Sequence, residues 1–276
     1  MALYITSLNS GSNGNCYYVG NATEAVLVDV GISCRETEIR MKQLGLDIKL
    51  VKAIFISHEH GDHIKGVSVL AHKYQLPVYI TEATATNGPR LIKHLSKPFV
   101  ANESIAIGEL VVTPFFKQHD AADPHSFIVS YNNITVGVFT DIGIVCEQLI
   151  HHFKQCNAAF LEANYDEQML ENGGYPLHLK NRIRGGQGHL SNAQALNLFI
   201  NHRPKFMTHL LLSHLSKENN SPELAKKLFE AVADSTKIII AERYSATEIF
   251  KISTTQPTTK PLKAPFNKPT QMVLFA

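Results

Sequence analysis

The chain has 276 residues, 44% of them hydrophobic, and a formal net charge of +2 from 26 basic and 24 acidic side chains. That is enough apolar content for one large domain or two small ones with a buried core. The near-neutral balance excludes a global basic field advertising a polyanionic partner, although a local basic patch is compatible with it. No apolar run reaches membrane-spanning length. The start, MALYITSLNSG, has neither a charged n-region nor a long apolar h-region, so neither a membrane span nor a signal peptide is expected. Cys16, Cys34, Cys146 and Cys156 form no CxxC pair, which fits a reduced, cytoplasmic setting with each thiol as a small buried hydrophobe. The 14 histidines invite a search for metal ligands.

In chain order, the small-residue loop SGSNGN comes first; its backbone N–H groups can face an anion, with Ser12 and Asn13 at the tip, or it is simply a tight turn between two strands. AVLVDV then reads as a strand closing near Asp29. VKAIFIS is short, apolar and β-branched, a buried strand that runs into SHEHGDH. Ile64, Val67, Leu70, Ala71 and Tyr74 follow near helical spacing and predict a helix from Ile64 to Tyr74. Further strands lead to His119 (LVVTPFFKQ), Asp141 (ITVGVFT), Glu162 (AAFLE) and His214 (MTHLLLS). Lys180, Arg182 and Arg184 form a basic loop before GGQGH, either a track for a nucleic-acid backbone or a solvated segment. His189 lies just before a helix opened by the capping box Ser191-x-x-Gln194, and Ser221-Pro222 opens another helix. Strands with interspersed helices predict a mixed α/β sandwich. Strand ends that repeatedly carry a polar residue predict convergence along one edge, where open α/β sheets place their chemistry. Residues 1–252 are expected to form this domain. Residues 253–276, rich in Pro, Thr and Lys, read as an extended tail.

The densest signal is His58-x-His60-x-Asp62-His63. Alternate residues on a tight turn point the same way, so His58 and His60 can share one ion while Asp62 and His63 face a second. His119, Asp141 and His214 are the candidate distant ligands, with the Asp141 carboxylate able to bridge. Imidazole and carboxylate donors without thiolate suit Zn, Mn or Fe alike.

HEHGDH resembles the HxHxDH signature of the metallo-β-lactamase fold, and His119, Asp141 and His214 fall in the order of that family's later ligand motifs. The pieces SGSNGNC, SHEHGDHIKG, HDAADP, TDIG, LEANYD, GHLSN and SHLSKENN are similar to those of its WalJ/YycJ-type branch. The resemblance implies a four-layered αββα sandwich with a dinuclear site at one sheet edge. His58, His60 and His119 would hold one divalent ion, Asp62, His63 and His214 the other, and Asp141 both. The β-lactamases proper have cysteine at the position of Asp141, so antibiotic hydrolysis is not expected. The spacing from Asp141 to His214 leaves no room for a β-CASP insertion.

Such a site hydrolyses phosphodiesters, thioesters and lactones alike. Two further residues favour the first. A histidine oriented by a carboxylate can protonate a leaving oxygen, and Glu162 with His189 resembles the proton-donating couple of ribonuclease Z. The resulting expectation is a nucleic-acid phosphodiesterase; the branch implies a 5′ to 3′ DNA exonuclease active in DNA repair. Asp62, Glu162 and His189 are its catalytic candidates. Ser12, Asn13, Lys217 and Asn219 are its substrate contacts. The alternatives are a small-molecule thioester or lactone hydrolase similar to glyoxalase II, and a non-catalytic metal-holding regulatory protein.

The chain ends QMVLFA, in which Gln271, Leu274 and Phe275 resemble the short peptide by which bacterial replication and repair proteins bind the sliding clamp. Folding back of these apolar residues onto the domain is the other reading. Deleting residues 271–276 is expected to abolish binding to purified clamp while hydrolysis continues; unchanged binding rejects the clamp reading.

Overall fold

The computed structural model describes residues 1–253; the tail and its Gln271, Leu274 and Phe275 peptide lie outside the described residues. Two seven-stranded sheets pack face to face. One runs in spatial order β14 (Phe250–Ile252), β1 (Leu3–Asn9), β2 (Cys16–Gly20), β3 (Ala25–Val28), β4 (Val51–Phe55), β5 (Val78–Tyr79) and β6 (Ser96–Lys97). The other runs β13 (Lys237–Ile240), β12 (His209–Ser213), β11 (Ala158–Glu162), β10 (Ile134–Phe139), β9 (His125–Tyr131), β8 (Leu110–Phe116) and β7 (Ile105–Ile107). Helices α1 (Cys34–Gln43), α2 (Gly61–Ile64), α3 (Val67–Tyr74) and α4 (Glu82–Asn87) come from the first half of the chain. The second half supplies α5 (Glu147–Phe153), α6 (Glu167–Asn172), α7 (Leu177–Arg184), α8 (Asn192–His202) and α9 (Pro222–Glu230).

The layering follows from side-chain alternation. In β3, Val26 and Val28 point into the core between the sheets, while Ala25 and Leu27 point outward beneath α1 and α3. In β11, Ala158 and Phe160 face inward, and Ala159 and Leu161 face the layer under α5, α8 and α9. Strands buried on both faces are the reason these segments read as unbroken apolar runs. The result is a four-layered αββα sandwich with three apolar layers.

Strand direction places the chemistry. β3 to β6 are parallel to one another, as are β10 to β13. Parallel neighbours end at a common edge, so Asp29, His58, Asp141, Glu162 and His214, each at or just beyond such a strand end, meet there. Asp29, Asp141 and His214 all take a left-handed backbone, at φ +59°, +55° and +56°. Asp and His tolerate that region better than most side chains, and the turn keeps each one at the rim instead of continuing along the strand.

Two local expectations change. The predicted helix from Ile64 to Tyr74 is broken at Lys65–Gly66 into α2 and α3, because the Gly66 N–H leaves the helical ladder and donates to Val30 O at 2.8 Å. The basic segment carrying Lys180, Arg182 and Arg184 is helix α7, not a loop. The capping box at Ser191 and the Ser221-Pro222 start are both present. No described helix is long and apolar enough to cross a membrane.

Phe160 is fully buried between the sheets with its ring 4.9 Å from that of Tyr17. Phe160→Ala is expected to lower unfolding stability by roughly 3–5 kcal/mol, read as a lowered midpoint in urea denaturation.

Candidate metal centre

At the common edge the predicted ligands come together in two adjoining groups. His58 Nε2 lies 3.1 Å from His60 Nδ1, which lies 3.3 Å from His119 Nε2. Beside them, Asp62 Oδ2 lies 3.6 Å from His63 Nε2 and 3.4 Å from His214 Nε2. Asp141 stands between the groups, with Oδ2 3.1 Å from His63 Nε2 and Oδ1 3.9 Å from His119 Nε2. The ligand atoms within each of the sets His58–His60–His119, Asp62–His63–His214 and His58–His63–Asp141 fall within 4.8 Å of one another.

The tautomers are set from behind. His63 Nδ1–H donates to Asp29 Oδ2 at 2.7 Å. Ser57 Oγ–H donates to the same oxygen at 2.8 Å, and so accepts from His58 Nδ1–H at 2.8 Å. Ser57 N–H occupies the other Asp29 oxygen at 2.8 Å. His119 Nδ1–H donates to Gly188 O at 3.0 Å, and His214 Nδ1–H to Glu162 Oε1 at 3.0 Å. Each of these four rings therefore turns a lone pair on Nε2 toward the shared space, as a metal ligand requires.

Several features fit a pair of cations here. The Nε2 atoms of His58 and His119 converge on His60 Nδ1, three imidazole nitrogens at one point. Asp141 Oδ2 is buried without a hydrogen-bond partner among the described residues, and so is Asp120 Oδ1, 3.4 Å from His119 Nε2. Burial pushes His58 well below the ordinary histidine range and His119 down to about 4, keeping both neutral. His63 and His214 go the other way. Burial alone would lower them, but Asp141 and the neighbouring carboxylates raise His63 well above its usual value and His214 to about 10. The pocket thus carries an excess of negative charge that attracts positive charge, as protons or as metal ions.

Glu162 and His189 adjoin this cluster. His189 Nδ1–H donates to Glu162 Oε1 at 2.8 Å, and Glu162 Oε2 accepts the backbone N–H groups of Ile142 at 2.7 Å and Leu190 at 3.1 Å. Burial opposes ionisation of Glu162, but the His189 imidazole and the bonds from His189 and His214 outweigh it and hold the carboxyl at about 2. The His189 ring is 17% exposed, so its Nε2 side reaches the open face of the site.

The expected substrate contacts fare differently. Ser12 and Asn13 are exposed at the tip of the β1–β2 turn and Lys217 is exposed beside His214, but Asn219 is only 1% exposed. Asn219 serves its loop through the backbone, its carbonyl accepting from Asp166 N–H at 2.8 Å. Arg182 pairs with Asp120 at 2.5 Å and Arg184 with Glu171 at 2.8 Å, so much of the α7 charge is neutralised within the chain. His125 is buried at the start of β9 and bonded to Asp123 O, apart from the ligand groups.

Sequence reading passed over three members of the site. Asp29 closes a strand, but nothing in its local sequence shows that it serves histidines far along the chain. Asn15 Oδ1 accepts from Tyr17 Oη–H and Gly11 N–H, which aims Nδ2 at Asp62 Oδ2 (3.3 Å) and His63 Nε2 (3.1 Å). Asp120, directly after His119, could have been found by asking which neighbour of a ligand also carries a carboxylate. Asp29→Asn places an amide N–H or a weaker acceptor against His58 and His63. It is expected to weaken metal affinity about 10- to 100-fold, measured by competition with a chromogenic chelator.

Comparison with known proteins agrees with this geometry. The sequence model of the metallo-beta-lactamase superfamily matches residues 10–172. The chain is 36% identical over 261 residues to exodeoxyribonuclease YycJ of Bacillus anthracis, covering 93% of this chain and 97% of that one. It is 32% identical over 227 residues to exodeoxyribonuclease WalJ of Streptococcus pneumoniae, covering 79% and 83%. The crystal structure of the metallo-beta-lactamase fold protein YhfI from Bacillus subtilis superposes with a TM-score of 0.69 at 16% identity, over 91% of this chain and all of that one. With its two packed sheets, its ligand-bearing edge and these relatives, the chain belongs to the metallo-β-lactamase superfamily and is a hydrolase of that fold.

Proposed function

We propose that this hydrolase is a two-metal phosphodiesterase acting on DNA, removing nucleotides from the 5′ end. The observation that carries the reading is the buried Glu162 holding His189 at the open face of the ligand cluster. A phosphodiester expels a poor alkoxide leaving group and needs a proton donor; a thioester needs one far less. The relatives named as exodeoxyribonucleases, similar along nearly the whole chain, support the same substrate class.

His58, His60 and His119 would hold one cation and Asp62, His63 and His214 the other, with Asp141 placed to serve either. When bound, the pair lowers the pKa of a shared water and stabilises charge developing on the phosphate oxygens. Asp62, 22% exposed and oriented by Asn15, aligns the attacking water through its outer oxygen. Glu162 fixes the His189 ring through Nδ1–H, so that Nε2 delivers its proton to the departing sugar oxygen. The exposed Ser12, Asn13 and Lys217 line the approach of the strand.

Metal-loaded protein incubated with end-labelled DNA and RNA tests the reading. DNA should shorten from its 5′ end, and Asp62→Ala should abolish the cut. His189→Ala should lower kcat about 10²- to 10⁴-fold. If His189→Ala costs less than tenfold while a small thioester is turned over rapidly, the glyoxalase II-like alternative replaces this one.

A further inference from the structure

Arg243, just beyond β13, takes no part in the metal cluster, yet it joins the two loops that flank it. Its Nη1 donates to Ser12 Oγ at 3.2 Å and Asn13 Oδ1 at 3.1 Å, and its Nη2 to Leu215 O at 2.6 Å, one residue past His214. Asn13 Nδ2 donates back to Arg243 O at 2.8 Å. The guanidinium lies flat against Gly11, whose φ is +118°. A Cβ at that position would sit 2.8 Å from Nη2, so glycine there, favoured by the positive φ, lets the guanidinium pack against the turn without shifting.

Beside it opens a cavity of about 210 Å³ whose polar wall carries Ser10, Lys217, Asn220 and Arg243, with Glu242 also lining it and apolar residues such as Leu215 and Ile240 forming much of the rest. The cavity shares a wall with the metal centre, because Ser10 Oγ accepts the backbone N–H of His214 at 2.7 Å. All of Arg243's partners are neutral oxygens, and it forms no ion pair among the described residues. Asp62 and Glu218 act on it only from a distance. Glu242 is exposed at the rim, with its carbonyl taken by Ser10 N–H. Elsewhere on this surface Arg182 and Arg184 are ion-paired; Arg243 is half-buried, held rigid and left with its charge uncompensated.

We infer that this cavity is a phosphate subsite in which Arg243 grips a phosphate of the nucleic-acid strand next to the one held over the metal cluster. A planar guanidinium with donors to spare matches two phosphate oxygens at once. Lys217 at the mouth is paired with Glu218 at 3.7 Å, so Arg243 carries the charge, and the Ser12–Asn13 turn, held by the same guanidinium, supplies backbone N–H groups on the near side. The phosphate is either the 5′-terminal one or an internal one of the backbone. The subsite rests on the DNA-hydrolase reading above and adds the element that registers the strand.

The test is equilibrium binding of short DNA strands, 5′-phosphorylated or 5′-hydroxyl, to the metal-loaded wild type, Arg243→Gln and Arg243→Lys, with bound metal measured in each. Arg243→Gln should weaken binding roughly tenfold to a hundredfold with its metal content intact, and Arg243→Lys should recover part of the loss. A loss confined to phosphorylated ends identifies the terminal phosphate; an equal loss on both identifies a backbone phosphate. Unchanged binding by Arg243→Gln overturns the subsite alone. Loss of metal together with DNA, unrelieved by lysine, makes Arg243 a structural brace and also overturns it. A wild type that binds no DNA removes the nuclease reading and the subsite with it.

Discussion

Asp29 touches neither the open face of the site nor any substrate approach, yet the orientation of two ligands depends on it. One oxygen accepts from His63 directly and from His58 through Ser57; the other accepts the Ser57 backbone. A buried carboxylate whose oxygens are all taken by donors costs far less than one left unpartnered. By accepting from His63 directly and from His58 through Ser57, Asp29 fixes both rings with Nδ1 as the donor and Nε2 turned to the site. The left-handed backbone that brings Asp29 over β4 is a local conformational cost set against those bonds.

Charge balance explains much of the remaining architecture. Asp29, Asp141 and Glu162, all buried, crowd one pocket with the partly exposed Asp62. Among the described residues the compensating groups are the imidazoles and a buried lysine, Lys117, whose Nζ donates to Thr140 O at 2.7 Å. Burial lowers the Lys117 pKa, and Asp141, Asp29, Glu162 and Asp62 all push it back up. Lys117 thus holds the carbonyl that precedes Asp141 and adds cationic character behind the ligand cluster. Glu162 holds two histidines, His214 and His189, through a single oxygen. A change at Glu162 therefore disturbs both rings together, whereas a change at His189 leaves His214 held.

Local chemistry was readable in the sequence, and long-range support was not. HEHGDH announces itself because ligands spaced two apart on a turn leave few other uses for so many imidazoles. The strand ends at Asp141, Glu162 and His214 were visible because apolar runs buried on both faces stop abruptly at a polar residue. The break at Gly66 was hidden, since it follows from a hydrogen bond to Val30, which no helical periodicity records. The pairing of Arg182 with Asp120 was hidden for the same reason. Arg243 was invisible because its meaning comes from Gly11, Ser12, Asn13 and Leu215, three of them more than 200 positions away. Asn219, expected as a substrate contact, is buried with its side-chain amide unpartnered among the described residues, a placement its sequence position does not reveal.

The ligand set is divided between the sheets. Asp29, His58, His60, Asp62 and His63 come from the sheet containing β3 and β4, while His119, Asp141, Glu162, His189 and His214 come from the one containing β8 to β12. Two of the groups need both sheets: His119 joins His58 and His60 across the gap, and His214 joins Asp62 and His63, whereas Asp141, Glu162, His189 and His214 cluster within the second sheet alone. The apolar layer between the sheets, with Phe160, Phe127, Val26 and Leu211 at its heart, therefore sets the distance between the two half-sites. The dependence also runs the other way, because any cation bound by both halves favours the packed state over the separated one by its own binding free energy. Core packing and metal affinity are in this way two measurements of a single geometry, and a mutation that loosens the inter-sheet layer loosens the site without touching a ligand.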